Sequence, residues 1–395
     1  MTMVASSAQF LNPGAMLITR LSDLADVKAC PRLVVKIGSS LLVGPEGVRR
    51  AWLEGLVREL AAARRRGQEL IVVSSGAIAL GAARLKLDKG GRGSLADAQA
   101  AAAVGQIALS GLWAELLGAH GLTAAQLLLT LDDLEDRRRY LNATATLTRL
   151  LDAGAVPVIN ENDSVATQEI RFGDNDRLAA RVAQAAGASA VLLLSDVDGL
   201  FDRNPAEAGA TLLAEVRGVT PQIHAMASGG GASGMGSGGM TSKLQAAEIA
   251  ERAGIALAIA SGLVAAPLAR ACGDEVGTLF LPKAARGRKD GARKAWLGGR
   301  LRLKGVLVVD AGAAQALAKG GSLLAAGITA AEGEFKRGDA VAVRGADGAL
   351  LAHGLAEYGA DDCRKLLGRK NSEQAALLGY APRSAVVHRD QMVLL

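Results

Sequence analysis

The chain has 395 residues, of which half are hydrophobic and only 3% are aromatic, so it can build about two domains with cores of aliphatic side chains and alanine. Its formal net charge of +6 is mildly basic and does not by itself indicate a nucleic-acid-binding protein. The three cysteines, Cys30, Cys272 and Cys363, lie far apart without a CxxC pair. This argues against a disulfide framework or a zinc site and favours a reducing cytoplasm.

The first 31 residues contain no long apolar segment, and the acidic Asp23 and Asp26 count against a transit peptide. We expect residues 1–31 to be a loosely ordered N-terminal extension. No uninterrupted apolar run further along the chain reaches the roughly 18–20 residues of a membrane-spanning helix. No membrane association is therefore predicted.

Between residues 32 and 282, short apolar segments alternate with segments of helical spacing. Strands are predicted over 33–37, 70–73, 127–129, 156–159, 191–194 and 255–259. The longer helices are predicted over 48–66, 95–118 and 140–152. This alternation predicts an α/β domain with an open, mostly parallel sheet and helices on both faces.

The alternation stops near residue 282. Residues 283–297 are rich in Lys and Arg with interspersed glycines, a composition typical of a basic, flexible linker. The following residues, 298–392, contain segments that we interpret mostly as short strands joined by turns: 303–310, 313–319, 338–344, 350–354 and 386–387. A small β-rich C-terminal domain is therefore predicted.

Two clusters of short polar side chains indicate a binding site. The first, Asn160 to Asp163, directly follows the apolar run 156–159, and the second, Asp174 to Asp176, opens a helical segment. Ligands of open α/β sheets bind at the carboxyl ends of strands. Carboxylates suit an ammonium group or hydrated Mg²⁺, and amides suit a carboxylate or hydroxyl. The two clusters therefore favour a small zwitterionic substrate.

Two strand ends could meet an anion. Lys36 lies within the first apolar strand, just before Gly38, and a buried charge is costly unless it emerges or is paired. It is a candidate phosphate ligand, and the alternative is an edge strand from which it reaches solvent. Ser75 follows the second strand at a helix start, where backbone amides suit a carboxylate or phosphate. The alternative there is an ordinary helix cap.

Two further segments could face a nucleotide. Ser195 and Asp196 follow the strand 191–194 and could face a metal–nucleotide or a ribose, although a solvated turn is the alternative. Residues 234–243 combine several glycines with Lys243 directly before a helix. Glycines let a backbone approach phosphates closely, and a helix start supplies amide donors. The alternative is a disordered linker that precedes a helix.

Taken along the chain, the motifs at Lys36, at Ser75, in the two polar clusters, at Ser195 and in the glycine-rich segment before Lys243 resemble the amino acid kinase family. Within that family they are most similar to the members that phosphorylate glutamate. The resemblance is carried most specifically by Pro157 to Asp163 and by Met240 to Ala247. Residues 352–354 and 387–390 are similar to a PUA domain. The resemblance divides the chain into an N-terminal extension (1–31), an amino acid kinase domain (32–282), the linker (283–297) and a PUA-like domain (298–392).

The resemblance implies transfer of a phosphoryl group from ATP to the γ-carboxylate of L-glutamate, which is the first step of proline biosynthesis. It implies Mg²⁺ carried by ATP rather than by protein ligands. The implied catalytic residues are Lys36, Lys243 and Asp176. The implied glutamate-binding residues are Ser75, Asp163 and Asn175. The implied ATP-binding residues are Lys36, Ser195, Asp196, Ser237, Gly238, Gly239, Met240, Thr241, Ser242 and Lys243.

The same resemblance implies a cytoplasmic homo-oligomer, either a dimer or a tetramer. Proline is the implied candidate for a feedback inhibitor, and a glutamyl phosphate reductase is the candidate partner. One alternative is another carboxylate or carbamate kinase of the family, against which the cluster 160–163 and the PUA-like segment argue. An alternative of a different class is an RNA-binding protein acting through the PUA-like domain. The chain lacks interleaved aromatic stacking residues, so RNA binding is not expected.

Overall fold

The computed structural model describes residues 18–44, 46–165, 174–228, 239–282 and 303–394. The described chain divides into two compact units. The first contains the residues up to 134 together with 143–282, and the second contains 135–142 together with 303–394. The predicted basic linker, 283–297, lies outside the described residues.

The first unit is built around an eight-stranded sheet in the order β5-β6-β4-β1-β7-β9-β10-β8, and β2 and β3 form a separate short hairpin. The strands are β1 (Arg32–Ile37), β2 (Val43–Gly44), β3 (Gly47–Val48), β4 (Glu69–Ser74), β5 (Ala124–Leu129), β6 (Val156–Glu161), β7 (Ala190–Ser195), β8 (Glu215–Arg217), β9 (Ala256–Ser261) and β10 (Thr278–Leu281). From β5 to β9 all neighbouring strands are parallel. Only the β9–β10 pair is antiparallel in this sheet.

The helices that accompany this sheet alternate with its strands along the chain. They are α1 (Ser39–Leu42), α2 (Arg50–Arg65), α3 (Ala77–Leu85), α4 (Leu95–Gly118), α5 (Leu131–Glu135), α6 (Arg137–Asp152), α7 (Asp174–Ala186), α8 (Pro221–Ser228), α9 (Gly239–Arg252) and α10 (Pro267–Cys272). Every residue of β7 and β9 is buried. Since successive side chains point to opposite faces, both faces of the sheet are covered. The predicted α/β class with a mostly parallel sheet is confirmed.

Strand β1 occupies the middle of the sheet, between β4 and β7. In register, Lys36 lies beside Val73 on one neighbour and Leu193 on the other. Only 7% of Lys36 is exposed. The alternative that Lys36 escapes to solvent from an edge strand is therefore excluded.

The segment before β1 belongs to the core of the first unit. Leu24 and Cys30 are fully buried, and the Gln68 side-chain amide donates hydrogen bonds of 2.7 Å to both of their carbonyl oxygens. The expectation of a loosely ordered extension is therefore wrong for residues 18–31, because their apolar side chains pack against the sheet and its helices. Residues 1–17 lie outside the described residues.

Helices α3 and α4 pack at very short range through two glycines. A Cβ atom added to Gly105 would lie 1.8 Å from the carbonyl oxygen of Ala77, and one added to Gly81 would lie 1.8 Å from that of Ala101. Both distances are far inside van der Waals contact, so only glycine permits this approach. The contact fixes the first turn of α3, which follows directly after β4.

The second unit contains a five-stranded sheet in the order β12-β11-β13-β14-β15. Its elements are β11 (Gly305–Val309), α11 (Ala311–Ala318), β12 (Ile328–Gly333), β13 (Ala340–Gly345), β14 (Leu350–Leu355), α12 (Ala360–Lys365), α13 (Asn371–Leu378) and β15 (Met392–Leu394). The predicted hairpin turn joins β13 and β14, with Gly348 at a φ of 81°. The prediction of a small β-rich domain is confirmed.

Two details of the second unit differ from the sequence expectations. Residues 313–319 fall mainly in helix α11, which begins after Asp310, and the Asp310 side chain accepts a 2.7 Å bond from the Ala313 amide. This cap favours a helix, so this segment is not one of the short strands that make up most of the region. Val387 makes only an isolated bridge with Leu323 rather than a strand, and the last strand of the sheet is β15, further along the chain.

Helix α4 is the one helix among the described residues whose length and composition would allow it to cross a membrane. Of its most apolar window, 44% is buried inside the structure. It packs against α3, α2 and β5. These contacts therefore account for part of its apolar composition.

We predict that Gly105→Ala destabilises the protein by roughly 1–3 kcal/mol, because the added methyl group forces α3 and α4 apart. Gly111 is the matched control: it lies in the same helix, and a Cβ added there meets nothing within 4 Å. Gly111→Ala should therefore be neutral or stabilising by up to about 1 kcal/mol. Thermal and denaturant unfolding of both variants measures the difference. Equal stability of the two variants would contradict the close packing.

Candidate active site

The polar residues singled out in the sequence gather at one edge of the parallel sheet. Lys36 lies near the end of β1, Ser75 directly follows β4, Asp163 follows β6, and Ser195 ends β7. Because these strands are parallel, their carboxyl ends meet at the same edge. The starts of α7 and α9 supply the remaining candidates.

The centre of the site is a buried carboxylate that contacts two lysines. One Asp176 oxygen, Oδ1, lies 2.5 Å from Lys36 Nζ, and the other, Oδ2, lies 3.5 Å from Lys243 Nζ. Ser242 Oγ donates a 2.8 Å bond to Oδ2. The Asp176 side chain is 1% exposed and each lysine side chain 9%. Strand β1 and helices α7 and α9 thus contribute to one charged cluster.

The electrostatics of this cluster depend on burial and on its mixture of charges. Burial raises the pKa of Asp176, but the charges of Lys36 and Lys243, with their hydrogen bonds and that of Ser242, outweigh burial and hold this pKa below its usual value. Burial lowers the pKa of Lys243. The charge of Asp176 opposes that shift and the charge of Lys36 adds to it. The carboxylate is therefore ionised near neutral pH and holds two cations that would otherwise repel each other.

Local backbone features place the two lysines. A Cβ atom added to Gly38 would lie 3.9 Å from Lys36 Nζ, so the absence of a side chain at Gly38 leaves space beside the ammonium group. Lys243 Nζ donates a 3.1 Å bond to the carbonyl oxygen of Gly239, one turn earlier in α9. The bond to Gly239 thus helps to hold the Lys243 ammonium group near Asp176.

A second cluster, made of amides and one hydroxyl, lies beside the lysines in sequence and space. Asn175 Nδ2 donates to Ser75 Oγ at 2.9 Å and to Asn160 Oδ1 at 3.1 Å. Asn175 Oδ1 accepts a 3.3 Å bond from the Glu161 amide. Asn175 is the direct neighbour of Asp176 at the start of α7, so the same helix turn serves both clusters. We call this second group the amide cluster.

The turn after Ser75 depends on a glycine. Gly76 has a φ of 113°, a conformation that residues with a Cβ rarely adopt, and it caps the start of α3. Its backbone lets the chain pass from β4 into the helix with Ser75 half-buried at the edge of the sheet. The alternative that Ser75 is an ordinary helix cap is therefore wrong, because Gly76 is the N-cap of α3 and the Ser75 hydroxyl contacts Asn175.

Asp163 lies in a short 3-10 turn that follows β6. Its residue exposure is only 8%. The charge of Arg92 interacts with that of Asp163. A buried carboxylate is suited to a cationic partner, and Asp163 lies two residues after the last residue of β6, Glu161, whose amide donates to Asn175.

The candidate nucleotide side is described in part. Ser195 Oγ donates a 3.0 Å bond to Asp196 Oδ1, and the Asp196 charge acts on Lys243, so both lie next to the lysine cluster. Gly239, Met240 and Thr241 form the first turn of α9 ahead of Ser242. Ser237 and Gly238 lie outside the described residues, as does most of the glycine-rich segment.

Gln106 was not among the residues singled out in the sequence, and Asn160 was noted there only as a member of the cluster 160–163. Gln106, in the middle of α4, accepts a 2.9 Å hydrogen bond from Asn160 Nδ2. Asn160 is 3% exposed and links Gln106 to Asn175. The signal available in the sequence was a polar amide directly after Gly105 in a stretch otherwise made of small and apolar residues.

The described residues contain no group of three His, Cys, Asp or Glu side chains arranged to hold a metal ion. Both oxygens of Asp176 contact cationic or hydroxyl groups. The geometry therefore fits Asp176 as an anchor for the lysines.

We predict that Asp176→Asn lowers stability by about 3 kcal/mol at pH 7, because it removes the negative charge that both buried ammonium groups contact. The folded pKa of Asp176 is depressed. Its contribution is therefore present above the unfolded pKa of about 3.9 and is lost as the pH falls through the lower folded value. Urea unfolding of the wild type and the variant measures the free energy of unfolding of each. The difference between the two should become smaller as the pH falls through the acid range.

Glu334→Gln provides the control for that comparison. Glu334 pairs with Arg364 at 3.1 Å, but its side chain is 85% exposed. Exposed pairs of this kind contribute about 0–1 kcal/mol. If Asp176→Asn lowered the free energy of unfolding no more than Glu334→Gln does, the buried ion-pair cluster would be contradicted.

Comparison with known proteins agrees with this geometry. Residues 31–261 match the amino acid kinase family, and residues 305–377 match the PUA domain. The chain is 70% identical over 381 residues to the protein named Glutamate 5-kinase from Novosphingobium aromaticivorans. The aligned residues cover 96% of this chain and 100% of that protein.

Two further relatives carry the same name. The protein from Sphingopyxis alaskensis is 62% identical over 368 residues, covering 93% of this chain and 98% of that protein. The protein from Zymomonas mobilis is 55% identical over 368 residues, which cover 93% of this chain and 92% of that protein. The chain therefore belongs to the amino acid kinase family and, within it, to the family of the glutamate 5-kinases, with a PUA domain in its C-terminal part.

Proposed function

We propose that this chain transfers the γ-phosphoryl group of ATP to the γ-carboxylate of L-glutamate, which yields ADP and L-glutamyl 5-phosphate. One observation carries the proposal: two buried lysines converge on Asp176 directly beside an amide cluster. The lysines suit a transferring phosphoryl group, and the amides suit a polar acid. The relatives named Glutamate 5-kinase support the choice of acid.

The chemistry requires charge stabilisation more than proton transfer. The γ-carboxyl group of glutamate has an ordinary pKa of about 4.3, so it is an anion at neutral pH and can attack phosphorus without a general base. Phosphoryl transfer then depends on in-line positioning and on neutralising the oxygens of the transferred group. A site without a catalytic histidine or cysteine is consistent with this reaction.

Lys36 and Lys243 would neutralise the phosphoryl oxygens during transfer. Together with Asp176 they carry a net charge of +1, so a phosphate arriving between them meets an excess of positive charge that is already in place. Pre-organised charges in a dry site stabilise a transition state more than mobile ones do. Asp176 would act as the anchor of both ammonium groups rather than as a base.

The amide cluster and Asp163 would bind the amino acid. The Asp163 carboxylate suits the α-ammonium group, and the hydroxyl proton of Ser75 suits a carboxylate oxygen. Both side-chain amide hydrogens of Asn175 are already donated to Ser75 and Asn160, so Asn175 would contribute to glutamate binding by orienting Ser75. These assignments place the α-carbon end of glutamate near the cluster and its γ-carboxylate toward the lysines.

ATP would lie on the opposite side of the lysines. Ser195 and Asp196 would face the nucleotide, with Ser237 to Lys243 around its phosphates through backbone amides at the start of α9. Mg²⁺ bound to the nucleotide would add positive charge at the phosphate oxygens. We propose that the nucleotide carries this ion, since Asp176 is already engaged by the lysines.

An ADP-release assay with a panel of acids tests the proposed function. We expect turnover with L-glutamate, and little or none with L-aspartate, N-acetyl-L-glutamate or carbamate. N-acetyl-L-glutamate and carbamate lack the α-ammonium group that Asp163 would bind. L-aspartate is one methylene shorter, so its side-chain carboxylate would not reach the lysines while its α-ammonium group stays at Asp163. If another acid supported turnover while glutamate did not, the substrate assignment would be wrong although the kinase assignment would stand.

We predict that Lys243→Ala lowers kcat by roughly a hundredfold or more, because removal of one pre-organised donor to a transition state has an effect of that size. The KM for glutamate should change little, since the acid is held by the other cluster. Lys28→Ala, at an exposed position of the same unit, is the control and should keep its kcat. A kcat equal to that of the wild type in Lys243→Ala would show that Lys243 does not contribute to catalysis.

The wider setting follows from the same proposal. The reaction would be the first step of proline biosynthesis in the cytoplasm, and the labile acyl phosphate product favours a glutamyl phosphate reductase as partner. We propose a homo-oligomer, either a dimer or a tetramer, with proline as a candidate inhibitor. The boundaries 32–282 and 298–392 remain our proposed limits for the kinase and PUA-like domains.

A further inference from the structure

A continuous chain of hydrogen bonds joins helix α4 to Ser75. Asn160 Nδ2 donates to Gln106 Oε1 at 2.9 Å, and Asn175 Nδ2 donates to Asn160 Oδ1 at 3.1 Å. The same Asn175 nitrogen donates to Ser75 Oγ at 2.9 Å. At the other side, the Glu161 amide donates to Asn175 Oδ1 at 3.3 Å. Gln106 is thus connected to Ser75 by hydrogen bonds through Asn160 and Asn175.

The direction of every bond in this chain follows from one group of fixed polarity. A backbone N–H can only donate, so the Asn175 oxygen faces Glu161 and its nitrogen faces Asn160 and Ser75. Asn160 then presents its oxygen to Asn175 and turns its nitrogen toward Gln106. The chain is satisfied only if residue 106 presents an acceptor.

The direction of these bonds matters at Ser75. Because Ser75 Oγ accepts the bond from Asn175, its own hydroxyl proton can be donated to a ligand oxygen. Ser75 is only half-buried, so its hydroxyl can meet a ligand at the sheet edge. A reversed Asn175 would instead offer its oxygen to Ser75, and the hydroxyl proton would be used within the protein.

The close packing of α3 and α4 brings Gln106 to this position. Its neighbour Gly105 lies against Ala77, which follows Ser75 by two residues. Gln106 is half-buried in the middle of a helix that otherwise contributes apolar contacts to the core. A polar residue at this place has a cost unless its hydrogen bonds are satisfied.

We propose that Gln106 is a positioning residue whose side-chain oxygen fixes the orientation of Asn160 and Asn175, so that Ser75 faces the substrate as a hydrogen-bond donor. This inference rests on the proposed function in one respect, namely that the ligand oxygen belongs to the carboxylate of glutamate. Without an acceptor at 106, Asn160 is free to reverse. Among the contacts of the described residues, the bond from the Glu161 amide would then oppose reversal of Asn175.

The test compares variants at one position that differ only in hydrogen-bonding capacity. Gln106→Leu removes the acceptor, Gln106→Lys replaces it with a donor, and Gln106→Glu keeps an acceptor of similar size, which a carboxylate provides at pH 8. We expect Gln106→Leu and Gln106→Lys to raise the KM for glutamate roughly tenfold or more, the loss expected for one hydrogen bond to a charged group. Gln106→Glu should keep a KM close to that of wild type.

Three further readouts separate positioning from a general structural effect. The KM for ATP and the melting temperature of Gln106→Glu and Gln106→Lys should change little relative to the rise in glutamate KM. Ser110→Ala, one turn later on α4, removes a hydroxyl that donates to the backbone carbonyl oxygen of Gln106 and not to its side chain. It is the control for a polar loss in that helix and should leave the glutamate KM unchanged. In a Ser75→Ala background, Gln106→Leu should have little additional effect, because its influence passes through Ser75.

The inference is overturned if Gln106→Leu or Gln106→Lys leaves the glutamate KM unchanged, if Gln106→Glu is as impaired as the other two, or if the effects of Gln106→Leu and Ser75→Ala are additive. The wild-type assay run in parallel tests the proposed function separately. Absence of turnover with glutamate would overturn that function, and the same variant comparison would then be made on the acid that the panel identifies.

Discussion

The candidate active site depends on the contact between the Asp176 carboxylate and two ammonium groups. Two buried lysines would repel each other and lose protons if they faced only one another. The carboxylate makes their joint burial tolerable, and its own charge is maintained by them against the effect of burial. Since each lysine belongs to a different element, this one interaction also fixes β1, α7 and α9 relative to each other.

The substrate side depends on a constraint of a different kind, which is steric. The glycines at the contact of α3 with α4 let two backbones approach more closely than any side chain would allow. This approach brings an amide from the middle of α4 to the edge of the sheet, where it meets the cluster around Asn175. Charge therefore organises one half of the site, and close backbone packing organises the other.

Much of the fold was predictable, because parallel strands buried on both faces appear as short apolar runs. The runs 33–37 and 191–194 correspond to β1 and β7, and the helix predicted over 95–118 has the bounds of α4. Local patterns failed where tertiary contacts decide. The segment 18–31 has no long apolar run, yet it packs into the core. The helix over the alanine-rich 313–319 is a different case, because its Asp310 cap is a local signal that the hydrophobic pattern alone does not include.

The sequence by itself determined the class of the fold and the order of its polar motifs, because hydrophobic periodicity and the placement of short polar residues after strands are local properties. It also singled out Lys36, Asp176 and Lys243, since charged residues at apolar strand ends and at helix starts are conspicuous. Only the tertiary structure decided that these three charges form one cluster. It alone also decided that Gln106 reaches Asn160. Both contacts join residues more than 50 positions apart, and such contacts depend on strand order and on helix packing, which no local pattern encodes.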